Sequence, residues 1–348
     1  MAGRTLSEGE ILGRFLRELG LEEPHPLNLA GNTDDAALLP LAAARCGGRW
    51  DHDDCLILTQ DGMVEGVHFR LDGYTPEQVA WKCAAANLSD LAAMGGRPLG
   101  ALVYLGLPAR RARAGFVDGL ARGLNRSMQR YEYTIFGGDV TASRHLTLSM
   151  AFVGKVRRSR ALLRGGAGVG DAVFLSACIG LASLGLELVE RTQAGDHFAA
   201  RALKRYSRAR ERVLSPTPRL DFVELLADRG FASSCIDLSD SLAKSLRLLA
   251  EASGAGMEIG LTEKVLHPEV LDYYSGDDDF DVQRLALSAE EDFELLFTVP
   301  EELVSSFKRE MPPGVIHLGK VVRERGVWSL RGRRRVPVEE LGFQHFQR

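Results

Sequence analysis

Acidic residues recur beside the apolar segments of this chain, where negative charge is uncommon. They comprise two aspartates before the apolar run 36–39, three that close predicted strands, one that opens a helix, one inside an alanine-rich helix and a glutamate before another strand: Asp34, Asp35, Asp61, Asp139, Asp237, Asp240, Asp90 and Glu291. A single acidic residue at such a place usually caps a turn or a helix. Several that converge would repel one another unless cations joined them. Because oxygen-rich ligand sets select hard cations, the pattern predicts Mg²⁺ acting together with a polyphosphate.

Other catalytic signatures are missing from the sequence. It contains no G-x-x-x-x-G-K-[ST] loop, no G-x-G-x-x-G that opens a helix after a strand, and no kinase H-R-D with D-F-G. The stretch "GGAGVGD" at 165–171 lacks the lysine of a P-loop and is typical of a turn into a strand. The eight histidines show no H-E-x-x-H spacing, which argues against zinc. Any use of ATP would therefore depend on metal bridges and isolated glycine turns.

The composition is that of an ordinary globular protein. The chain has 348 residues, of which 45% are hydrophobic and 26% charged, and a length above one typical core favours two domains. A formal net charge of −4 argues against a general nucleic-acid binder. The cysteines form no C-x-x-C pair, no apolar signal-peptide core opens the chain, and no apolar run reaches membrane-spanning length. We therefore predict a soluble, cytoplasmic protein without a membrane span.

The hydrophobic pattern predicts a mixed succession of helices and strands. Helices are predicted at 7–20, 74–96, 110–131, 180–192 and 196–213, and a strand that runs into a helix at 231–254. Strands are predicted at 36–43, 54–61, 98–108, 133–139, 145–156, 172–177 and 315–322, and an acidic turn that enters a strand at 289–300. Thr75 and Pro76 are typical of the start of the second helix. Without a strict βαβ repeat, the pattern favours α+β sheets covered on one face, with a glycine-rich crossover near residue 160.

Several motifs together resemble one family of enzymes. The stretches "TDDAALL", "TQDGMVEGVHF", "FGGDVTAS", "RALLRGGAGVGD", "CIDLSDSLAKSL" and "AEEDFELLFTVP" occur in the order seen in thiamine-monophosphate kinases. "EGVHF" combined with "NLSDLAAMG" is the most specific part. The resemblance runs from about residue 10 to the terminal "LGFQHF". The family is a branch of the superfamily that includes aminoimidazole ribonucleotide synthetase and selenophosphate synthetase.

The resemblance implies a fold, a reaction and an assembly. It implies ATP-dependent phosphorylation of thiamine monophosphate to thiamine diphosphate, by direct in-line transfer assisted by several Mg²⁺ ions. It implies an α/β and α+β chain: an ATP- and Mg²⁺-binding dimerisation domain at 1–156 and a C-terminal α+β domain at 157–348. The N-terminal sheets of a homodimer would form a shared barrel. Since the acceptor is an anionic phosphate oxygen, no general base is needed, and the sequence shows no evident Ser-His-Asp or Cys-His arrangement.

The resemblance also assigns roles to individual residues. Matches to metal-binding positions are Asp34, Thr59, Gln60, Asp61, Asp90, Asp139, Asp237 and Asp240. Among them, the positions expected to be catalytic are Asp61, Asp139 and Asp240. Matches to ATP-binding positions are Gly138, Asp139, Arg164 and Ser239. Matches to substrate contacts are His68, Glu291 and Phe343, of which His68 would also fit a strand and Phe343 a packing position. Asp35 is expected to support Asp34 rather than to bind metal, and Asn87 is left outside the site.

The chain departs from the family pattern beside these residues. The family has glycine where this chain has Thr33, Ser241 and the pair Ala289–Glu290, and a hydroxyl residue where it has Gln60. Loss of glycine removes easy access to positive φ. One alternative is therefore a non-catalytic paralogue that binds nucleotide or metal. The other is a different ATP-dependent enzyme of the superfamily, but the cysteine that a selenophosphate synthetase or a hydrogenase-maturation enzyme would need is missing near the expected terminus.

Overall fold

The computed structural model describes residues 28–30, 34–40, 53–277, 279–332 and 334–338. The predicted helix at 7–20, the predicted substrate contact Phe343 and the departure Thr33 lie outside the described residues. Within them, the chain forms two β-sheets with helices packed against them.

The first sheet has five strands. They are β1 (Ala37–Pro40), β2 (Asp54–Val64), β3 (Arg97–Leu107), β4 (Thr134–Ala142) and β5 (Thr147–Arg157), and their order in the sheet is β1-β2-β5-β3-β4. β5 pairs antiparallel with both β2 and β3, whereas β4 pairs parallel with β3 at the edge. Two helices, α1 (Pro76–Ala93) and α2 (Ala114–Tyr131), complete this part of the chain.

The two faces of the first sheet differ in burial. Side chains of β5 alternate, so that Leu148, Met150 and Phe152 are buried under the helices. On the opposite face, Leu102 and Tyr104 of β3 are 52% and 40% exposed. This sheet is therefore covered on one face, as the sequence predicts.

The second sheet has seven strands, in the order β12-β11-β8-β10-β6-β9-β7. They are β6 (Ala172–Leu175), β7 (Ser234–Asp237), β8 (Gly256–Ile259), β9 (Leu295–Val299), β10 (Ile316–Val322), β11 (Gly326–Arg331) and β12 (Arg334–Pro337). The accompanying helices are α3 (Leu181–Gln193), α4 (His197–Arg205), α5 (Ser207–Leu214), α6 (Leu242–Ser253), α7 (Pro268–Tyr274), α8 (Val282–Ser288) and α9 (Val304–Glu310). The expectation of one covered face is wrong for this sheet. Val173 of β6 belongs to one hydrophobic core and its neighbour Phe174 to another, so the central strands are buried on both sides.

Helix α1 contacts both sheets. It packs on β2, β3 and β5 of the first sheet and on β7 of the second, which explains its alanine-rich sequence. The predicted start is confirmed: Thr75 and Gln78 form a capping box, and Pro76 is the first helical residue. Because the helix is buried on nearly all sides, any polar side chain on it needs a partner. Four polar side chains of α1, Lys82, Asn87, Ser89 and Asp90, have such partners at the site described below.

Three predicted boundaries are wrong. Asp61 and Asp139 do not end their strands, because β2 remains paired with β5 through Val64 and β4 remains paired with β3 through Ala142. The predicted helix at 196–213 is two helices, α4 and α5, since Tyr206 between them has the non-helical ψ of 71°. Backbone pairing, rather than the acidic side chains, decides where these strands end.

Candidate active site

A cavity of about 880 Å³ opens along helix α1 between the two sheets. Its acidic lining residues are Asp34, Asp35, Asp61, Asp90, Asp240, Glu190, Glu290 and Glu291. Its apolar lining includes Met63, Phe69, Tyr74, Leu186, Val189 and Phe293. Lys82, Ala86 and Asp90 are spaced four residues apart on α1 and therefore share one helix face. At 1.5 Å per residue, Asp90 and Lys82 stand about 12 Å apart along it.

Three carboxylates converge at the Asp90 position. Ligand atoms of Asp35, Asp90 and Asp237 all lie within 4.8 Å of one another. The side chain of Asp35 is 2% exposed, and its Oδ2 has no hydrogen-bond partner among the residues described. A buried carboxylate oxygen that faces two further carboxylates is unfavourable without a cation. The donor set fits a hard cation such as Mg²⁺, which takes carboxylate oxygens.

Hydroxyl groups orient two of these carboxylates. The Thr59 hydroxyl on β2 donates to Asp90 Oδ2. Ser89 Oγ on α1 and Ser239 Oγ after β7 donate to Asp237 from 2.7 and 3.0 Å. Each bond uses one lone pair of a carboxylate oxygen and fixes the orientation of that carboxylate within the cluster. Thr59, a predicted metal contact, therefore lies at the site as the hydrogen-bond partner of Asp90. Ser239, a predicted ATP contact, lies there as the hydrogen-bond partner of Asp237.

The remaining acidic residues surround the cluster. Asp61 lies on β2, and its backbone N–H donates to Asn87 Oδ1 at 3.0 Å. Asn87 donates in turn to Cys83 O within α1, so it joins the helix to the strand beside Asp61. Asp240 precedes α6 and forms an ion pair of 2.7 Å with Lys244 on the first turn of that helix. The departure Ser241 has an ordinary φ of −65° and caps α6 through Lys244 N, so no glycine is required there.

Arg164 is the cation beside the aspartate pair that precedes β1. Its guanidinium donates to Asp35 Oδ1 at 2.6 Å, and its backbone N–H donates to Asp34 Oδ2 at 3.1 Å. Asp34 is thus turned toward the backbone of residue 164, whereas Asp35 points into the cluster. The structure places Asp35, rather than the predicted Asp34, among the converging carboxylates.

Burial raises the pKa values of these carboxyl groups. Desolvation, followed by repulsion from Asp35, raises the pKa of Asp34 to about 6 and that of Asp237 to about 7. Desolvation and the neighbouring Asp237 raise the pKa of Asp90 well above its ordinary value, and burial also raises the pKa of Asp61. Ionisation of the cluster is therefore unfavourable in the absence of a cation, and a bound cation would stabilise the ionised carboxylates.

Away from the cluster, apolar side chains share the lining of the cavity with Glu190, Glu290 and Glu291. Glu291 Oε2 is 2.8 Å from Nζ of Lys82 on α1. His68 lies at the rim and accepts a hydrogen bond from Val64 N at Nδ1, so it holds the turn after β2 while also lining the cavity. Two of the three predicted substrate contacts are thus brought to one cavity, and the third lies outside the described residues.

Two predicted residues lie away from the cavity of their own chain. Register across the sheet places Asp139 on the same face as Tyr104 and Ser149, which is opposite to that of Asp61 and Met150. Three strand spacings of about 4.8 Å put β4 about 14 Å from β2. At Gly138 a Cβ would lie 1.9 Å from Val103 O, so close strand approach alone requires that glycine. Gln60 lies at the cavity rim and donates to Ser149 Oγ at 3.3 Å.

Sequence comparison identifies the family. Residues 33–156 match the model of the AIR synthase related protein, N-terminal domain. The thiamine-monophosphate kinase of Aquifex aeolicus is 33% identical over 292 residues, which cover 84% of this chain and 88% of that protein. The chain belongs to the thiamine-monophosphate kinase family. The family member of Synechococcus elongatus is likewise 33% identical over 332 residues, covering 90% of this chain and 96% of its own length.

Solved structures agree with the family assignment. A structure described as AaThiL complexed with AMPPCP and TMP has a TM-score of 0.79 at 29% identity, and the match covers 99% of this chain and all of that one. The Escherichia coli hydrogenase maturation protein HypE has a TM-score of 0.65 at 15% identity over 94% of this chain and 95% of its own, which shows a shared fold only. No helix in the described part of this family member is long and apolar enough to cross a membrane.

Proposed function

We propose that this protein transfers a phosphoryl group from ATP to thiamine monophosphate, giving thiamine diphosphate. The observation that carries the proposal is that a single cavity contains both a carboxylate cluster and an apolar part. Three carboxylates converge in one part of it, and apolar side chains together with Glu291 line another part. The first part suits metal-bound phosphates and the second suits a flat organic ring system. Family relatives carry the kinase name, and one solved relative holds an ATP analogue together with TMP.

The chain's own residues bind and orient the reactants. Asp35, Asp90 and Asp237, with Asp34, Asp61 and Asp240 around them, would hold several Mg²⁺ ions. When bound, Mg²⁺ would neutralise the phosphate charges of donor and acceptor. Arg164 lies beside the cluster and offers guanidinium donors to phosphate oxygens.

The same proposal includes a homodimer built from the first sheet. β4 is one edge of that sheet, and at the other edge β1 pairs with β2 only from Cys55 to Leu58. Within the described ranges, Thr59–Val64 of β2 therefore has no strand on that side. If β4 of one copy pairs with this stretch of β2 in its partner, strands β2, β5, β3 and β4 of the two copies, eight in all, close into a shared barrel with β1 of each copy outside the ring. Asp139 on β4 would then lie next to β2 of the partner subunit, whereas it lies away from β2 of its own chain.

A turnover assay tests the reaction. Purified protein with ATP, Mg²⁺ and thiamine monophosphate should form thiamine diphosphate and ADP in equal amounts, and excess EDTA should abolish both. We expect Asp90→Asn to lower turnover by orders of magnitude while the circular dichroism spectrum is unchanged, because the variant removes a charge at the centre of the cluster. Asp118→Asn on the exposed side of α2 is the matched control and should retain full activity.

Two outcomes would contradict the proposal. Absence of product with all three components would reject the kinase, and nucleotide binding without turnover would instead support a non-catalytic paralogue. Full activity in folded Asp90→Asn would separate the carboxylate cluster from the reaction. The domain boundary near residue 156 and the cytoplasmic location stay predictions.

A further inference from the structure

Lys82 is a buried lysine for which the proposed reaction has so far given no use. It lies in the middle of α1 and is 1% exposed. Lysine is almost never buried to this extent without a carboxylate partner. Its Nζ lies 2.8 Å from Glu291 Oε2 and 5.5 Å from the centre of the Tyr74 ring. Both partners line the cavity, whereas Lys82 itself lies behind them.

The ion pair is not needed to satisfy Glu291 alone. The Glu291 side chain is 28% exposed toward the cavity and could be hydrated there. Replacing a buried ion pair by apolar residues of similar volume is often neutral or stabilising, so the pair is a weak source of stability. Since stability does not account for the Lys82 ammonium group behind the Glu291 carboxylate, we look for its role in binding the ligand of the cavity.

The backbone that carries Glu291 is held in an uncommon conformation. Glu291 and Phe293 have φ values of 57° and 51°, which non-glycine residues rarely adopt. Between them, the Asp292 carboxylate accepts hydrogen bonds from the N–H groups of Gly180 and Ala182 at the start of α3. These bonds fix the turn, and both flanking side chains line the cavity. Strain of this kind clusters where a side chain must be presented to a ligand.

The charge of Lys82 determines which ligand group suits Glu291. Because the ammonium group occupies Oε2 and balances the carboxylate charge, the pair attracts a distant cation only weakly. The remaining oxygen, Oε1, has no hydrogen-bond partner among the described residues and can accept from an N–H donor. Lys82, which pairs with Glu291, lies about 12 Å along α1 from Asp90 of the carboxylate cluster, which leaves room between them for an acceptor whose phosphate is held at the cluster.

We propose that Lys82 is a positioning residue for the acceptor: it holds Glu291 with Oε1 toward the cavity, where that oxygen accepts a hydrogen bond from the ring amino group of thiamine monophosphate. The inference rests on the proposed function and deepens it. It assigns the aminopyrimidine ring to the apolar part of the cavity, against Tyr74 and Phe293, and the phosphate to the carboxylate cluster.

Steady-state kinetics of Lys82→Met test the inference. We expect the KM for thiamine monophosphate to rise at least about tenfold while the KM for ATP changes less than about twofold. Lys155→Met is the matched control, since Lys155 pairs with Asp54 at 3.0 Å on β5 away from the cavity. It should leave both constants unchanged. Loss of folded protein alone would lower turnover without changing either KM, so the selective change separates positioning from stability.

A double variant shows whether Lys82 acts through Glu291. Lys82→Met combined with Glu291→Gln should have the acceptor KM of Glu291→Gln alone, because the lysine has nothing left to position. An acceptor whose pyrimidine amino group is replaced by oxygen should bind poorly to the wild type and be insensitive to Lys82→Met. Equal sensitivity of both acceptors would overturn the assignment of the amino group.

The failures of the two proposals are distinguishable. If the wild type forms no thiamine diphosphate, the proposed function is wrong. If the wild type is active and folded Lys82→Met has an unchanged acceptor KM, or if the double variant is additive, only the positioning role is wrong. Should Lys82→Met fail to fold, Lys82→Arg keeps the charge and displaces the donor atoms. An unchanged acceptor KM in that variant would likewise overturn the role.

Discussion

Asp237 is fully buried beside two other carboxylates, so its ionisation opposes folding when no metal ion is bound. Burial and the adjacent Asp35 raise its pKa in the folded protein to about 7, from 3.8 in an unperturbed carboxyl. A raised carboxyl pKa means that the folded state binds the proton more tightly than the unfolded state. The stabilising contribution of that proton is fully present below about pH 4 and is lost as the pH rises through 7.

We therefore expect the metal-free protein to become more stable as the pH falls from 8 to 6. Asp237→Asn keeps the side-chain shape and cannot ionise, so it should be more stable than the wild type at pH 8 and should lose much of this pH dependence. Urea unfolding in EDTA at the two pH values measures both effects. Asp118→Asn, on an exposed helix face, should retain the wild-type dependence. An unchanged pH dependence in Asp237→Asn would show that this carboxyl is already paired.

The aspartate pair before β1 shows what a single sequence can settle about one residue. The juxtaposition of two carboxylates and an apolar strand indicates a nearby cation. In the structure that cation is Arg164, and the carboxylate cluster that contains Asp35 would bind a second one. The sequence cannot say which aspartate points where, because Asp34 and Asp35 differ only by the backbone direction of one residue. Here the backbone N–H of Arg164, which is 130 residues away, donates a hydrogen bond to Asp34, and Asp35 instead faces Asp90.

At the scale of elements, the site depends on how closely α2 packs against α1. Gly123 of α2 is buried against the first turns of α1, and a Cβ there would lie 2.2 Å from Glu77 O and 2.9 Å from Ala80 Cβ. Because the nearest atom belongs to the backbone, a side-chain rotation cannot relieve the contact. The helix pair would have to separate, and α1 carries Lys82, Asn87 and Asp90.

We expect Gly123→Ala to lower the free energy of unfolding by about 1–3 kcal/mol despite the better helix propensity of alanine. Gly115 in the same helix is exposed and has open space around its Cα, so Gly115→Ala should raise stability by up to about 1 kcal/mol. Denaturant titration of the two variants measures the difference. Equal effects would show that the helix pair tolerates a wider spacing.

Local sequence predicts some elements of this fold well and others poorly. Helix α1 has a capping box and proline at its start, so its beginning is readable from neighbouring residues. The continuation of β2 beyond Asp61 depends on pairing with β5, which lies about 90 residues away. Lys82 was missed as a site residue because a lysine in an amphipathic helix is ordinarily solvent-exposed. Only the packing of α1 between two sheets shows that it is buried.

At the scale of the whole molecule, the open face of the first sheet is the feature that a single chain leaves unexplained. Leu102 is 52% exposed on this face and Phe136 on β4 is 58% exposed. An uncovered apolar face beside an unpaired edge strand usually meets another chain. The proposed barrel would cover the face and both edges in one step.

Sedimentation analysis of Leu102→Glu tests the barrel. We expect the wild type to be a dimer and the variant to be a monomer, because a buried glutamate would face the apolar interior of the barrel. The matched control is Phe198→Glu, since Phe198 on α4 is similarly exposed, at 58%, but lies outside the first sheet. A dimeric Leu102→Glu would show that this face is not the interface.

The position of Asp139 gives this assembly a functional consequence that mixed dimers can reveal. If Asp139 serves the site of the partner subunit, a dimer of one Asp139→Asn chain and one Asp90→Asn chain contains one intact site and one site with both defects. Such a dimer, purified through two different tags, should have about half the wild-type turnover, although each parent homodimer is inactive. If Asp139 instead serves its own chain, each site carries one defect and the mixed dimer is inactive. The restored activity therefore decides whether a complete site requires two chains.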